Sequence, residues 1–173
     1  FETRGAFNRQ LAGLETGEMG DAGVVVASGG NAGLAQAFAA RDLGIRATVF
    51  VPQTAPDAKV ARIQAYGAEV KRVGSEYAEA YEAAVAFSEQ TGAAFAHAYD
   101  QLEVAAGAGT LAEEILEDEP SIDTIIVAVG GGGLYAGVAA SAFARARVVA
   151  VEPERCPTLS SAMKAGHPVN VAV

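Results

Sequence analysis

The 173-residue sequence is short of what nucleic-acid binders, disulfide scaffolds and membrane spans are built from. Lysine and arginine number 12 against 21 aspartates and glutamates, a net charge of −9 at pH 7, and no basic run occurs. That composition excludes a surface for nucleic acid and attraction to an anionic membrane. The one cysteine, Cys156, rules out an intrachain disulfide and fits a reducing cytoplasm. No apolar run reaches the length of a bilayer, and the start does not read as a signal peptide. Internal repeats and low-complexity linkers are missing as well. The chain opens on Phe1 rather than Met and stops at Val173 inside an apolar run, which predicts a portion of a longer protein. With 51% hydrophobic residues, what remains is a globular chain able to bury a core.

What is present is a pair of glycine turns. The β-branched run 24–27 stops at Ser28-Gly29-Gly30-Asn31-Ala32-Gly33, and an alanine-rich helical pattern to Leu43 follows. A strand running into a helix through a tight turn aims free backbone N–H groups and the positive end of a helix dipole at one point, which suits an anion. Glycines let the backbone approach a ligand, and Ser28 and Asn31 add side-chain hydrogen bonds. The arrangement recurs where the run 122–129 meets Gly130-Gly131-Gly132-Gly133-Leu134. The two turns read as halves of one site for a ligand with two anionic groups.

Periodicity and turn residues predict helices at 4–14, 32–43, 57–66, about 77–91, 102–116, 133–144 and 158–165. Asp57 is the expected N-cap of the third and Gly44 the C-cap of the second. Strands are predicted at 24–27, 45–51, 68–73, 93–96, 122–129 and 147–151, with 97–101 a loop. Strand and helix alternate about six times through short connections, the pattern of an α/β fold with an open, mostly parallel sheet and helices on both faces. The continuous apolar strands at 24–27 and 125–129 fit burial on both faces. Ligands of such sheets bind beyond the carboxyl ends of strands, where both glycine turns fall.

Each turn admits other readings. Asn31 alone could be a helix cap. The second turn also fits a dinucleotide fingerprint, with Gly131, Gly133 and Ala136 filling G-x-G-x-x-A and Glu152 near the spacing of a ribose-binding acid, so a nicotinamide oxidoreductase is an alternative. It is not a Walker A loop, because no Gly-Lys-Ser/Thr follows.

Three ordered segments separate these readings by resemblance. Phe1-Glu2-Thr3-Arg4-Gly5-Ala6, the Ser28 turn and the tetraglycine together resemble the fold type II pyridoxal-phosphate enzymes, within them the serine/threonine dehydratase and serine racemase group. That group carries Ser-Phe-Lys-x-Arg-Gly-Ala, then Ser-x-Gly-Asn, then a glycine-rich loop; Ala106-Gly107-Ala108-Gly109-Thr110 is similar to its Ala-Gly-Gln-Gly-Thr. The resemblance implies a three-layer, tryptophan synthase β-like fold and pyridoxal 5'-phosphate as cofactor. It implies a small amino-acid substrate, loss of water from serine or threonine to give a 2-oxo acid and ammonia, and a homo-oligomer. Gly130, Gly131, Gly132, Gly133 and Leu134 would hold the phosphate and Asn31 the phenolic oxygen. Ser28, Gly29, Gly30, Asn31 and Ala32 would hold the substrate carboxylate. Residues 24–101 would form a small domain closing on substrate, and 1–23 with 102–173 part of a large cofactor domain.

The chain departs from this pattern at the catalytic position: Glu2 stands where the family lysine forms the Schiff base. A carboxylate can neither form that bond nor replace the amine as base, so the family reaction should be silent, and a cofactor-binding but inactive module is a second alternative. Relatives also use a glutamate at the position of Glu152 to ligate a mono- or divalent cation. Here Cys156 would supply a carbonyl and Thr158 stands where a further acid is expected, which weakens such a site. His97 and His167 read as surface or turn residues, Cys156 as inert, Tyr77 and Tyr81 as packing or interface residues, and Glu113, Glu114, Glu117, Asp118 and Glu119 as a solvated helix end.

Overall fold

A computed structural model of the chain describes residues 1–169 and 171; Val173, the end of the segment 102–173, lies outside them. Along the chain the elements are α1 (Glu2–Thr16), β1 (Val24–Ala27), α2 (Asn31–Leu43), β2 (Ala47–Val51), α3 (Asp57–Ala65), β3 (Glu69–Arg72) and α4 (Tyr77–Thr91). Then follow β4 (Ala94–Phe95), α5 (Leu102–Asp118), β5 (Thr124–Ala128), α6 (Gly133–Ser141), β6 (Arg147–Val151) and α7 (Thr158–Ala165). They fall into two compact units, residues 2–107 and the remainder from Ala108, with Phe1 counted in the second.

In the first unit four parallel strands lie in the order β3-β2-β1-β4. Every residue of β1 is buried, as its unbroken Val-Val-Val-Ala run predicts. Alternation sends Val24 and Val26 to one face, against Ala37, Ala40 and Ile63 of α2 and α3. Val25 and Ala27 go to the other, against Ala80 and Ala84 of α4. α1 lies on α2: buried Gln10 donates from Nε2 to the Gln36 backbone oxygen (3.0 Å) and side-chain oxygen (2.7 Å). The Phe7 and Phe38 rings meet edge-on at 5.9 Å. α1 also crosses α5 closely, since a Cβ on Gly107 would lie 2.5 Å from the Arg4 carbonyl oxygen.

In the second unit β5 and β6 form a parallel pair. Here the expected two-sided burial fails. Val127 is buried with Ala112 and Leu116 of α5 and Val138 of α6, but Ile126 is 71% exposed. Among the described residues the pair has helices on the face of Val127, and the face of Ile126 is open.

The boundaries shift for local reasons. β2 begins at Ala47 rather than residue 45, because Ile45 N–H bonds back to the Ala40 carbonyl (2.8 Å) around left-handed Gly44 and so completes the stop of α2. Asp57 is not the cap of α3: Pro56 holds that place, and the Asp57 carboxylate pairs with Arg72 at 2.5 Å. α6 ends at Ser141 rather than 144, and Ala144 adopts a left-handed conformation, φ 61°. An alanine there lacks the freedom glycine has. Ala144→Gly is expected to raise stability by about 1 kcal/mol, read from the midpoint of chemical denaturation; an unchanged or lower midpoint would contradict the assignment.

Candidate functional site

In the first unit the site residues gather where β1 ends. Ser28 N–H donates to the Phe50 carbonyl (3.1 Å), and its Oγ accepts from Gly30 N–H (3.2 Å). Gly33 allows the turn its tightness: a Cβ there would sit 2.1 Å from the Ser28 carbonyl oxygen. The cap of α2 is Gly30, which has no side chain to offer, and Asn31 is the first helical residue. The capping alternative for Asn31 is therefore set aside. The carboxyl of Glu2, at the start of α1, has Asn31 and the Phe1 amino group near it. Burial pushes that carboxyl above its ordinary value, outweighing the Phe1 amino group and Asn31, which pull the other way.

His97, expected as a surface or turn residue, does lie in the loop after β4. It is a half-buried turn residue rather than a surface one, one strand over from β1, because β4 pairs with β1 in parallel, Val25 opposite Phe95. Its ring meets Tyr99 at 4.7 Å and Tyr81 at 5.9 Å, and Tyr81 meets Tyr77 at 6.1 Å. Nδ1 accepts from the backbone N–H groups of Tyr99 (3.2 Å) and Asp100 (2.9 Å), so the ring proton sits on Nε2. Burial lowers its pKa, with Asp100 opposing. Burial also raises that of the Tyr77 phenol. The tyrosine spacing signalled packing, but not that a histidine joins the cluster. A depression of about 560 Å³ lined by Arg46, Thr48, Glu69 and Phe87 lies at the amino ends of β2 and β3, away from all of these residues.

In the second unit Val129 N–H still bonds to the Val151 carbonyl (2.8 Å), and the chain then turns through 130–132 into α6. Gly132, at φ 92°, is the cap and again offers no side chain. A Cβ on Gly130 or Gly132 would meet nothing within 4 Å, so the space before the turn is open. The turn is braced from behind: Thr158 Oγ donates to the Gly130 carbonyl (2.8 Å). Glu152 holds the start of α7 in turn, accepting from Leu159 N–H (2.7 Å) and Ser160 N–H (3.0 Å). Hydrogen bonding, from Ser160 foremost, keeps the Glu152 carboxyl below its ordinary value. A carboxylate so engaged caps a helix, and among the described residues no group of three or more His, Cys, Asp or Glu could hold a metal ion. The ribose-binding role that the nicotinamide alternative needs of Glu152 meets the same geometry. Glu113, expected in a solvated helix end, accepts from Ser141 Oγ and pairs with Arg145 at 2.5 Å, joining α5 to α6.

A parallel α/β chain with uncapped glycine turns at two strand ends defines a class that holds phosphorylated ligands. The comparisons give the family. The pyridoxal-phosphate dependent enzyme family matches residues 1–173, and the chain belongs to it. It is 39% identical over 170 residues to the L-threonine ammonia-lyase of Thermotoga maritima, covering 96% of this chain and 42% of that protein. It is 39% identical over 174 residues to the Escherichia coli L-threonine dehydratase biosynthetic IlvA, covering 99% and 34%. The structure of maize serine racemase superposes with a TM-score of 0.91 at 34% identity, covering 98% of this chain and 52% of that one. The chain thus spans about half or less of the length of the relatives it matches. The fold is that of fold type II pyridoxal-phosphate enzymes. No helix among the described residues is long and apolar enough to cross a membrane.

Two titrations check this geometry. His97 is expected to titrate below 6.5, followed by the NMR shift of its ring protons, and a midpoint above 6.5 would contradict the buried neutral ring. The folded Glu152 pKa is depressed, so its stabilisation is full above pH 4.5 and is lost as pH falls through the lower native value. Glu152→Gln should therefore flatten the fall in melting temperature below pH 4.5; an unchanged slope would contradict the cap.

Proposed function

We propose that the protein carrying this chain is built as a pyridoxal-phosphate-dependent dehydratase, of the kind that removes water from L-threonine or L-serine to leave a 2-oxo acid and ammonia, and that with Glu2 in place the chain holds cofactor without running that reaction. The observation that carries the reading is the turn 130–132: an uncapped helix start, open space in front, and a Thr158 brace behind. In this reading the backbone N–H groups of Gly130, Gly131, Gly132, Gly133 and Leu134 bind the phosphate. Asn31, left free of capping by Gly30, orients the phenolic oxygen. Ser28, Gly29, Gly30 and Ala32 present N–H groups and a hydroxyl to the carboxylate of a small amino acid. When bound, pyridoxal phosphate supplies the electron sink for bond breaking at the substrate α-carbon.

The non-covalent part of the site fits that cofactor; position 2 does not. A glutamate has no amine to attach to the aldehyde, and its carboxylate offers the α-proton a base of different reach and strength. Residues 24–101 serve as the substrate-closing domain, and 1–23 with 102–173 as part of the cofactor domain. Exposed Ile126, Phe143 and Met163 support a surface that is covered in the whole protein, as in a homo-oligomer.

The test compares the wild-type chain with Glu2→Lys and Gly130→Val. After incubation with pyridoxal phosphate, only Glu2→Lys should keep an absorbance band near about 410–420 nm that borohydride fixes to the protein. Gly130→Val adds its side chain to open space, so it should fold yet weaken phosphate binding about tenfold. A lysine variant that captures no cofactor would overturn the reading.

A further inference from the structure

We infer that His97 is a pH-sensitive latch on the turn 97–100: its neutral ring holds the turn shut, and a protonated ring lets it go. The latch lies wholly within residues 2–107 and needs no cofactor.

The ring nitrogen Nδ1 takes the place that an asparagine or aspartate oxygen has in an Asx turn, accepting from backbone further along the chain. Tyr99 N–H reaches it at 3.2 Å and Asp100 N–H at 2.9 Å. Both ends of the segment are tied without the ring. Gln101 accepts from His97 N–H through Oε1 (2.8 Å) and donates through Nε2 to the Phe95 carbonyl (3.0 Å), which Arg9 also holds (3.1 Å). The Gln101 carbonyl receives Ala105 N–H (3.0 Å) at the start of α5. One ring nitrogen thus secures the middle of the turn, between ends held by an amide that does not titrate.

A protonated imidazole has two donors and no acceptor. Nδ1–H would then face the N–H groups of Tyr99 and Asp100, and both would lose their partner. Tyr81 of α4 (5.9 Å), Phe95 of β4 (6.5 Å) and Tyr99 (4.7 Å) surround the ring. Phenols are uncharged at neutral pH and below. Among the described residues that meet the ring, Asp100 alone brings a charge, and it favours the protonated form. Burial outweighs it and keeps the His97 pKa below 6.5. The native value is the depressed one, so the turn is closed above pH 6.5 and opens as pH falls through that native value. β4 runs parallel to β1, so the turn opens at the end of the sheet that carries Ser28.

The experiment follows the full chain by NMR from about pH 7.5 to about 4.5, reading the His97 ring shift together with amide exchange at Tyr99 and Asp100, each rate taken relative to that of an unstructured chain at the same pH. In the wild type, protection of both amides should fall about tenfold or more, with the midpoint of the ring. Ala96 N–H, bonded to the Val25 carbonyl (2.8 Å), should keep its protection. His97→Asn supplies an acceptor that does not titrate, so both amides should stay protected across the range. His97→Ala supplies none, and both should exchange throughout as they do in acid. Amides that stay protected while the wild-type ring titrates, or a ring that stays neutral until the chain unfolds, would overturn the latch. So would a pH-dependent loss of protection that survives His97→Asn, which would belong to another group.

Discussion

The first N–H groups of a helix have no partner within it, and something must satisfy them. At α4 and α7 this chain uses carboxylates: Glu79 accepts from the N–H groups of Ser75 (2.6 Å) and Glu76 (3.1 Å), and Glu152 from those of Leu159 (2.7 Å) and Ser160 (3.0 Å). At α2 and α6 it uses glycine caps, Gly30 and Gly132, which provide nothing. Both unsatisfied starts stand directly after parallel strands. The proposed function depends on this unevenness, because a helix start closed by its own side chain has no hydrogen bond left for an anion.

The surrounding structure keeps those two starts in place. Beneath the first, β1 is buried on both faces, and Gly33 lets α2 leave the strand without a collision. Behind the second, Thr158 and Glu152 convert what resembled a weakened cation site into a brace on the glycine turn. Threonine suits position 158, since its hydroxyl can donate to the Gly130 carbonyl and a carboxylate cannot. In the proposed reading Glu2 places a carboxylate, which when ionised only accepts hydrogen bonds, where an amine would attach the cofactor.

The glycine turns, the parallel alternation and the family were legible because each rests on local sequence: β-branched runs, glycine punctuation and three motifs in order. The bounds of β1, β6 and α7 also followed from local pattern. Where reading failed, a distant or competing partner had intervened. Ile45 reads as strand until its N–H is used to end α2. Asp57 reads as a cap until Arg72 takes its carboxylate. Glu113 reads as solvated until Ser141 of α6 and Arg145 in the turn beyond it reach its carboxylate.

The sequence by itself determined the alternation of strands and helices, the family, and the absence of an amine at position 2. These depend on residue identity and near-neighbour spacing alone. Only the tertiary structure decided which of the polar groups are occupied. It put Gly30 rather than Asn31 at the cap of α2, and engaged Glu152 with α7. It also gathered His97 into a ring cluster beside the Ser28 turn. Hydrogen bonds and burial of that kind join residues far apart in the chain, and no local pattern records them.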